Sequence, residues 1–355
     1  MGSGGVSGYA ALNARIRVMY STLLSPEELD TLCEAGDIPA LMELLRDTTY
    51  AQHLQDLGDK DQTPRRLAYQ VKGRIANAYE SVIRSAPAST RPLLFHLYRR
   101  FEVDNLKAVL RSIKTGASWD RVQFVLFPSG TLSTLPLQAM TGSDSIEAAV
   151  EQLHETPYYE TLNHALSRYT AEQSLFPLEV ALDLYYWREL WGEVNQLRGL
   201  DHTQSLRIVG LLLDMNNLMW AIRYRVFHEL SEEEIINYTL PFGYQVQDQD
   251  IRAIAAGADI AQVVMRIYPD LNGVAEIFQD PRARLSELEL DLQRHIASRC
   301  RTEFVGYPFH IGLPLAYMIL CELEVQDLTA LIEAKYSHKP FSEFHSYLLV
   351  GCPPR

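Results

Sequence analysis

"LLLDMNNLMWAIRYR", residues 211–225, is the stretch on which the reading of this chain turns. Asp214 is followed by Asn217, Leu218 and Arg223 at offsets of three, four and nine. An acid, an amide and an Arg so spaced look at first like the opening of an active-site motif. The same spacing, however, occurs in "RFEVDNLKAVLR", 100–111, with Glu102, Asn105, Leu106 and Arg111. It returns in "ELEVQDLTALIE", 322–333, with Glu324, Asp327 and Leu328, and Glu333 in place of the Arg. A weaker echo opens the chain: in "GYAALNARIR" Gly8 replaces the acid and Ala11 the amide, while Leu12 and Arg17 keep their gap.

Two further markers recur in step. Leu106, Leu218 and Leu328 stand 112 and 110 residues apart. "AGDIPALMELL", "GSDSIEAAVEQL" and "GADIAQVVMRI" align at Ile38, Ile146 and Ile260, 108 and 114 apart. "DTTYAQHL", "ETPYYETL" and "IYPDLNGV" align at Tyr50, Tyr158 and Tyr268, 108 and 110 apart. Self-similarity at a fixed period means one supersecondary unit copied. Periods of about 33–47 residues belong to open solenoids; a period near 110 predicts three small helical bundles. The expected division is a flexible N-terminal tail at 1–8, repeats at 9–116, 117–228 and 229–340, and a C-terminal tail at 341–355. Three related bundles can surround a pseudo-threefold axis and enclose a central opening.

The fold class read from periodicity is all-α. "DIPALMELLRD", "PRRLAYQVKGRIANAYESVIRS", "PLEVALDLYYWRELWGEVNQL" and "RLSELELDLQRHIASRCRTEF" place apolar residues at intervals of three and four. Pro26, Pro64, Pro92 and Pro177 stand where helices can begin, since a first turn tolerates Pro. "TTYAQHLQDLGDKDQTP" and "PFGYQVQDQD" read as loops, and "RVQFVLFPSG", 121–130, as a short extended piece. The most apolar stretch, "VGYPFHIGLPLAYMILC" at 305–321, holds His310 and two prolines and is shorter than a spanning helix of roughly 20 residues. It reads as a buried helix.

On such helices Glu102, Asn105 and Leu106 share a face, because side chains three and four apart are neighbours. The plain reading is a polar network at helix crossings, in which buried amides must find partners. The sharper reading makes Glu102, Asn105, Asp214, Asn217, Glu324 and Asp327 line or support one opening. The structural role is favoured, because catalysis seldom uses three tandem copies of a half-site. At Tyr50 and Tyr158 the preceding Thr reads as a cap, and at all three tyrosines the ring packs while the hydroxyl seeks a partner.

The 355 residues carry a formal charge of −13 with 47% hydrophobic residues. Such acidity opposes phosphate backbones, so nucleic acid is not an expected partner. Cys33, Cys300, Cys321 and Cys352 fit neither zinc nor disulfide spacing and read as reduced thiols. There is no GxxxxGK[ST], HExxH or GxSxG. Glu151 and His154 make a single ExxH, where a di-iron bundle needs two such pairs and two further Glu. "DLGDKDQ" at 56–62 and "DQD" at 248–250 read as polar loops, and His96, His228, His310 and His345 are scattered. No catalytic, cofactor or metal residue is expected, and no direct nucleotide binding. On residues alone, an independent helical-repeat scaffold that binds another protein in its opening also stands.

Together, "LNARIRV", "DTTYAQHL", "VDNLKAVLR", "ETPYYETL", "MNNLMWAIR" and "PFHIGLPLAYMILCELEVQDLTALIEAK" resemble the C-subunit family of the bacterial and archaeal V/A-type rotary ATPases, whose eukaryotic counterpart is the d-subunit of the vacuolar enzyme. The resemblance covers nearly the whole chain, and Glu322 and Glu324 match the family's charged E-x-E helix start. It implies an all-helical funnel of three pseudo-symmetric parts with no catalysis and no cofactor. It also implies a peripheral protein on the cytoplasmic face, seated on the membrane proteolipid ring and receiving the central stalk in its socket. Asp327 for Asn and Glu333 for Arg depart from strict repetition.

Overall fold

The structure is a computed structural model and describes residues 3–55, 57–58 and 63–349. All regular elements among them are helical. Local sequence accounts for many of the helix starts. Ser25 and Ser231 form capping boxes with Glu28 and Glu234, ahead of helices Pro26–Glu34 and Glu232–Asn237. Asp37, Thr63, Ser145, Asp259 and Asp280 each accept a backbone N–H from the first turn that follows. Pro26, Pro64, Pro92 and Pro177 all fall within the first two helical residues, as their positions predict. Gly116, at φ 67°, ends helix Arg91–Thr115 in the left-handed region that favours glycine.

Several expectations of irregular structure give way to helix. The stretch expected as a tail at 1–8 is helical from Ser3, the start of Ser3–Tyr20. Residues 341–349 hold helix Phe341–Phe344 and a 3-10 turn at His345–Tyr347, and they bury Phe344, Leu348 and Leu349. "DQD" is not loop but the first turn of Asp248–Ala255, where buried Asp250 accepts the Gln247 N–H and pairs with Arg266. Within "DLGDKDQ" Asp56 and residues 59–62 lie outside the described residues, as does Cys352. The extended piece expected at 121–130 is turn and coil after the one-turn helix Trp119–Val122, because its apolar residues cover a helix face and have no paired strand. The apolar stretch at 305–321 becomes helical only at Gly312 and continues to Tyr336.

Contacts divide the chain into two compact units. The first joins the described residues up to Leu190 with those from Tyr317 onward. Helices Pro64–Ser85 and Arg91–Thr115 bury Leu67, Val71, Tyr79, Leu94, Leu97 and Tyr98 there, with Phe101 stacked on Phe127 at 3.9 Å between ring centroids. The second unit is Trp191–Ala316. Its central helix, Gly199–Val226, is buried through its middle, from Ile208 to Asp214, and packs against Pro281–Thr302 and Asp248–Ala255. Gly210 permits a close approach on that helix: a Cβ there would meet the Tyr244 Cβ at 2.5 Å.

Candidate functional site

The amide of the repeated phrase has the same job each time. Asn105 accepts the Phe127 N–H at 2.6 Å and donates to the Phe127 carbonyl at 3.0 Å. Asn217 accepts the Leu240 N–H at 2.8 Å and donates to the Leu240 carbonyl at 2.8 Å. An Asn side chain carries one acceptor and two donors, so it can replace a missing backbone partner in both directions. In the third copy Asp327 accepts the Leu349 N–H at 2.7 Å, the half of the clamp open to a carboxylate. The clamped residues lie 22, 23 and 22 positions downstream of their clamps.

The acid at the head of each phrase takes a tyrosine. The Tyr158 hydroxyl donates to Glu102 at 2.6 Å, and the Tyr50 hydroxyl donates to Glu324 at 2.7 Å. Glu324 also accepts the Leu24 N–H at 2.5 Å, and the Arg74 Nε lies 3.3 Å from it as a charge contact. Arg74 sits over the Tyr50 ring and donates to the Thr22 carbonyl at 2.8 Å. The second copy has Asp214, one methylene shorter, and it takes the backbone N–H groups of Tyr244 and Gln245 at 2.8 and 2.6 Å. Tyr268 still stands within its field, and burial followed by the Asp214 charge pushes the phenol well up. Thr48 and Thr156 each accept the N–H of the tyrosine two residues on, but the expected Thr cap does not form: the N-cap residues are Tyr50 and Tyr158, and neither helix start has a side-chain cap bond.

The terminal Arg of the phrase is a tie between helices. Arg111 grips Glu179 with two bonds of 2.6 and 2.9 Å, and Arg223 pairs with Glu289 at 2.5 Å. Those partners lie 68 and 66 residues downstream.

All nine singled-out side chains are buried, from 0% exposure at Tyr50 and Asp214 to 6% at Glu102. They form three local groups, and Tyr268, which makes no side-chain hydrogen bond among the described residues, meets the His295 ring edge to face at 5.7 Å. Two cations were not singled out from sequence: buried Arg74, opposite Glu324, and half-buried Arg100, which with Tyr79 holds Glu322. Their signal was present, since Arg74 falls three residues after Val71 on the apolar stripe of Pro64–Ser85. Burial lifts the Glu324 carboxyl while Arg74, Tyr50 and Leu24 hold it down. Asp214 is pushed up to about 6 by burial, against the pull of its backbone donors. Burial pushes the Cys33 thiol to about 11 and Cys321 to about 12, which leaves both protonated. These groups clamp loops and join helices, and each acid is already engaged by the fold. His154 stacks on Tyr159, His96 reaches the Pro92 carbonyl, and His310 accepts the Gly312 N–H.

The family described as ATP synthase (C/AC39) subunit matches residues 12–343. The chain belongs to that family. Its members are non-catalytic subunits, and the match spans all three full copies of the repeated phrase. The C-subunit of the A-type ATP synthase of Methanocaldococcus jannaschii is 25% identical over 345 residues, covering 96% of this chain and 86% of that protein. Its counterpart in the A-type ATP synthase of Archaeoglobus fulgidus is 24% identical over 351 residues, covering 98% of each. That of Methanothermobacter thermautotrophicus is 25% identical over 333 residues, 92% of this chain and 84% of its own. In this member of the C/AC39 family the phrase residues are buried and hydrogen-bonded within the fold. Among the described residues no helix is long and apolar enough to cross a membrane.

Proposed function

We propose that the chain is the rotor adaptor of a V/A-type ATPase or ATP synthase. It sits as a peripheral subunit on the cytoplasmic face, joins the central-stalk subunits to the proteolipid ring, and passes torque between them during ATP-linked proton or sodium transport. The observation that carries this reading is the family match across residues 12–343. The buried joints support it, because a body that transmits torque must resist deformation and close-packed interiors do so. Three repeats of about 110 residues, 9–116, 117–228 and 229–340, are proposed to surround a pseudo-threefold axis as a funnel. Glu102, Asn105, Asp214, Asn217, Glu324, Asp327, Tyr50, Tyr158 and Tyr268 are proposed to hold its walls from within. The third phrase takes its tyrosine from the first Tyr marker, through the Tyr50–Glu324 bond. That bond ties the two ends of the chain together, so we propose that the repeats close on themselves.

Affinity capture of the tagged chain from gently solubilised membranes, read by mass spectrometry, tests the assignment. Proteolipid and central-stalk subunits in fixed proportion are expected. Recovery of the chain alone, from membranes holding an intact rotary ATPase, would replace the reading with an independent scaffold.

A further inference from the structure

Within the Trp191–Ala316 unit a cleft of about 340 Å³ opens beside the end of helix Pro281–Thr302 and the turn that leads to Gly312. Its rim is apolar and faces solvent: Leu200, Tyr307 and Val305, the last 85% exposed. Exposed apolar side chains gathered at one cleft mark a binding surface more than scattered ones do. Its lining is polar and incompletely satisfied. Gln204 Oε1 is buried without a hydrogen-bond partner. The half-buried Glu303 carboxylate makes neither a hydrogen bond nor an ion pair among the described residues.

That carboxylate is placed by the fold. A Cβ at Gly312 would stand 2.4 Å from Glu303 Oε2 and 2.9 Å from the His310 ring, so the missing side chain makes room for both. His310 Nδ1 accepts the Gly312 N–H at 3.1 Å, which leaves its other ring nitrogen as a donor. Burial raises the Glu303 carboxyl, while His310, Arg207 and Arg299 draw it down from a distance. Arg207 also lines the cleft, with its side chain exposed. Glu303 thus remains without a hydrogen-bond donor among the described residues, and a desolvated acceptor is costly until a donor arrives.

We propose that this cleft receives a lysine or arginine side chain from a neighbouring subunit of the rotary complex. Its aliphatic stem lies against Leu200, Val305 and Tyr307, and its cationic head donates to Glu303. The class of occupant follows from the cleft, and only the identity of the neighbour rests on the rotor reading. Long cationic side chains bury their stems on apolar surface while the head finds charge, which matches the division between rim and lining. The overall charge of −13 also draws basic partners.

The test places the photoreactive residue p-benzoylphenylalanine at Val305 in the complex purified from membranes, and maps the cross-link by mass spectrometry. A link to another subunit, on a segment that carries a lysine or arginine, is expected. Glu303→Gln should lower its yield about tenfold, the ratio that roughly 1.4 kcal/mol gives, and Gln204→Leu should leave it unchanged. Gln204→Leu should also raise the unfolding temperature of the free chain, since it removes a buried acceptor with no partner. No cross-link, a link to a segment without a basic residue, or a yield unchanged in Glu303→Gln would overturn the proposal while the chain stays in the complex. Absence of the chain from the complex would instead remove the rotor reading, and this proposal with it.

Discussion

Glu102, Asp214 and Glu324 hold the same place in three copies of one phrase, and side-chain length divides their work. The two glutamates reach a tyrosine hydroxyl, and the aspartate stops at a backbone loop. Glu324 answers a buried guanidinium, so Glu324→Leu leaves Arg74 without its carboxylate; removing one partner of a buried pair costs about 3–5 kcal/mol. Urea unfolding should show that loss, whereas Tyr158→Phe, which costs Glu102 one donor, should cost about 1–3 kcal/mol. Asp214 gives a pH signature of unusual sign. Its folded pKa of about 6 lies above the ordinary 3.8, so the folded state binds the extra proton between those values. Its contribution to stability is present below about pH 4 and is lost as pH rises through about 6. The difference in stability between the native chain and Asp214→Asn, followed by urea unfolding from pH 4 to 7, should change across that window. A pH-independent difference would remove the raised carboxyl from the account.

At the scale of elements, the amide clamps fix irregular segments to long helices. Asn105→Leu strips the buried Phe127 N–H of its partner and leaves the Phe127 carbonyl only the Ser129 hydroxyl at 3.4 Å, so about 1–3 kcal/mol is expected for the amide left unmet. Hydrogen exchange at the Phe127 amide should accelerate sharply while exchange in helix Pro281–Thr302 stays unchanged. Deleting 341–355 should lower the urea midpoint of the whole first unit, because Leu348 and Leu349 are each 2% exposed and a buried Leu contributes about 1.5–3 kcal/mol. Lys335, which donates to the Cys33 carbonyl at 2.6 Å and lies over the Phe344 ring, would lose part of its cover. Helices were legible because periodicity and caps are local: Pro64–Ser85 has the bounds its sequence predicts. The helical first turn at "DQD" was hidden by its polarity, since a capping box reads as loop until its reciprocal bonds are seen. Among the nine site residues, acid, amide and tyrosine were legible from repetition, but their pairing was not. Tyr50 and Glu324 are 274 positions apart, and no spacing rule connects them.

Two compact units are delimited by contacts, while the repeat is written three times, so the same polar phrase serves cores of different make-up. With a charge of −13, the chain should be held in its complex partly by electrostatics, and its retention should fall as ionic strength rises. Retention independent of salt would remove charge from the account of assembly. The central proposal is mechanical: the chain is proposed to couple rotation in the membrane sector to the stalk. The direct measurement compares ATP hydrolysis with ATP-driven ion pumping in membrane vesicles whose rotary ATPase lacks only this protein, before and after the purified chain is added back. The rotor reading predicts hydrolysis without pumping in its absence, and pumping restored on addition in proportion to the chain rebound. Full pumping without the chain would contradict it.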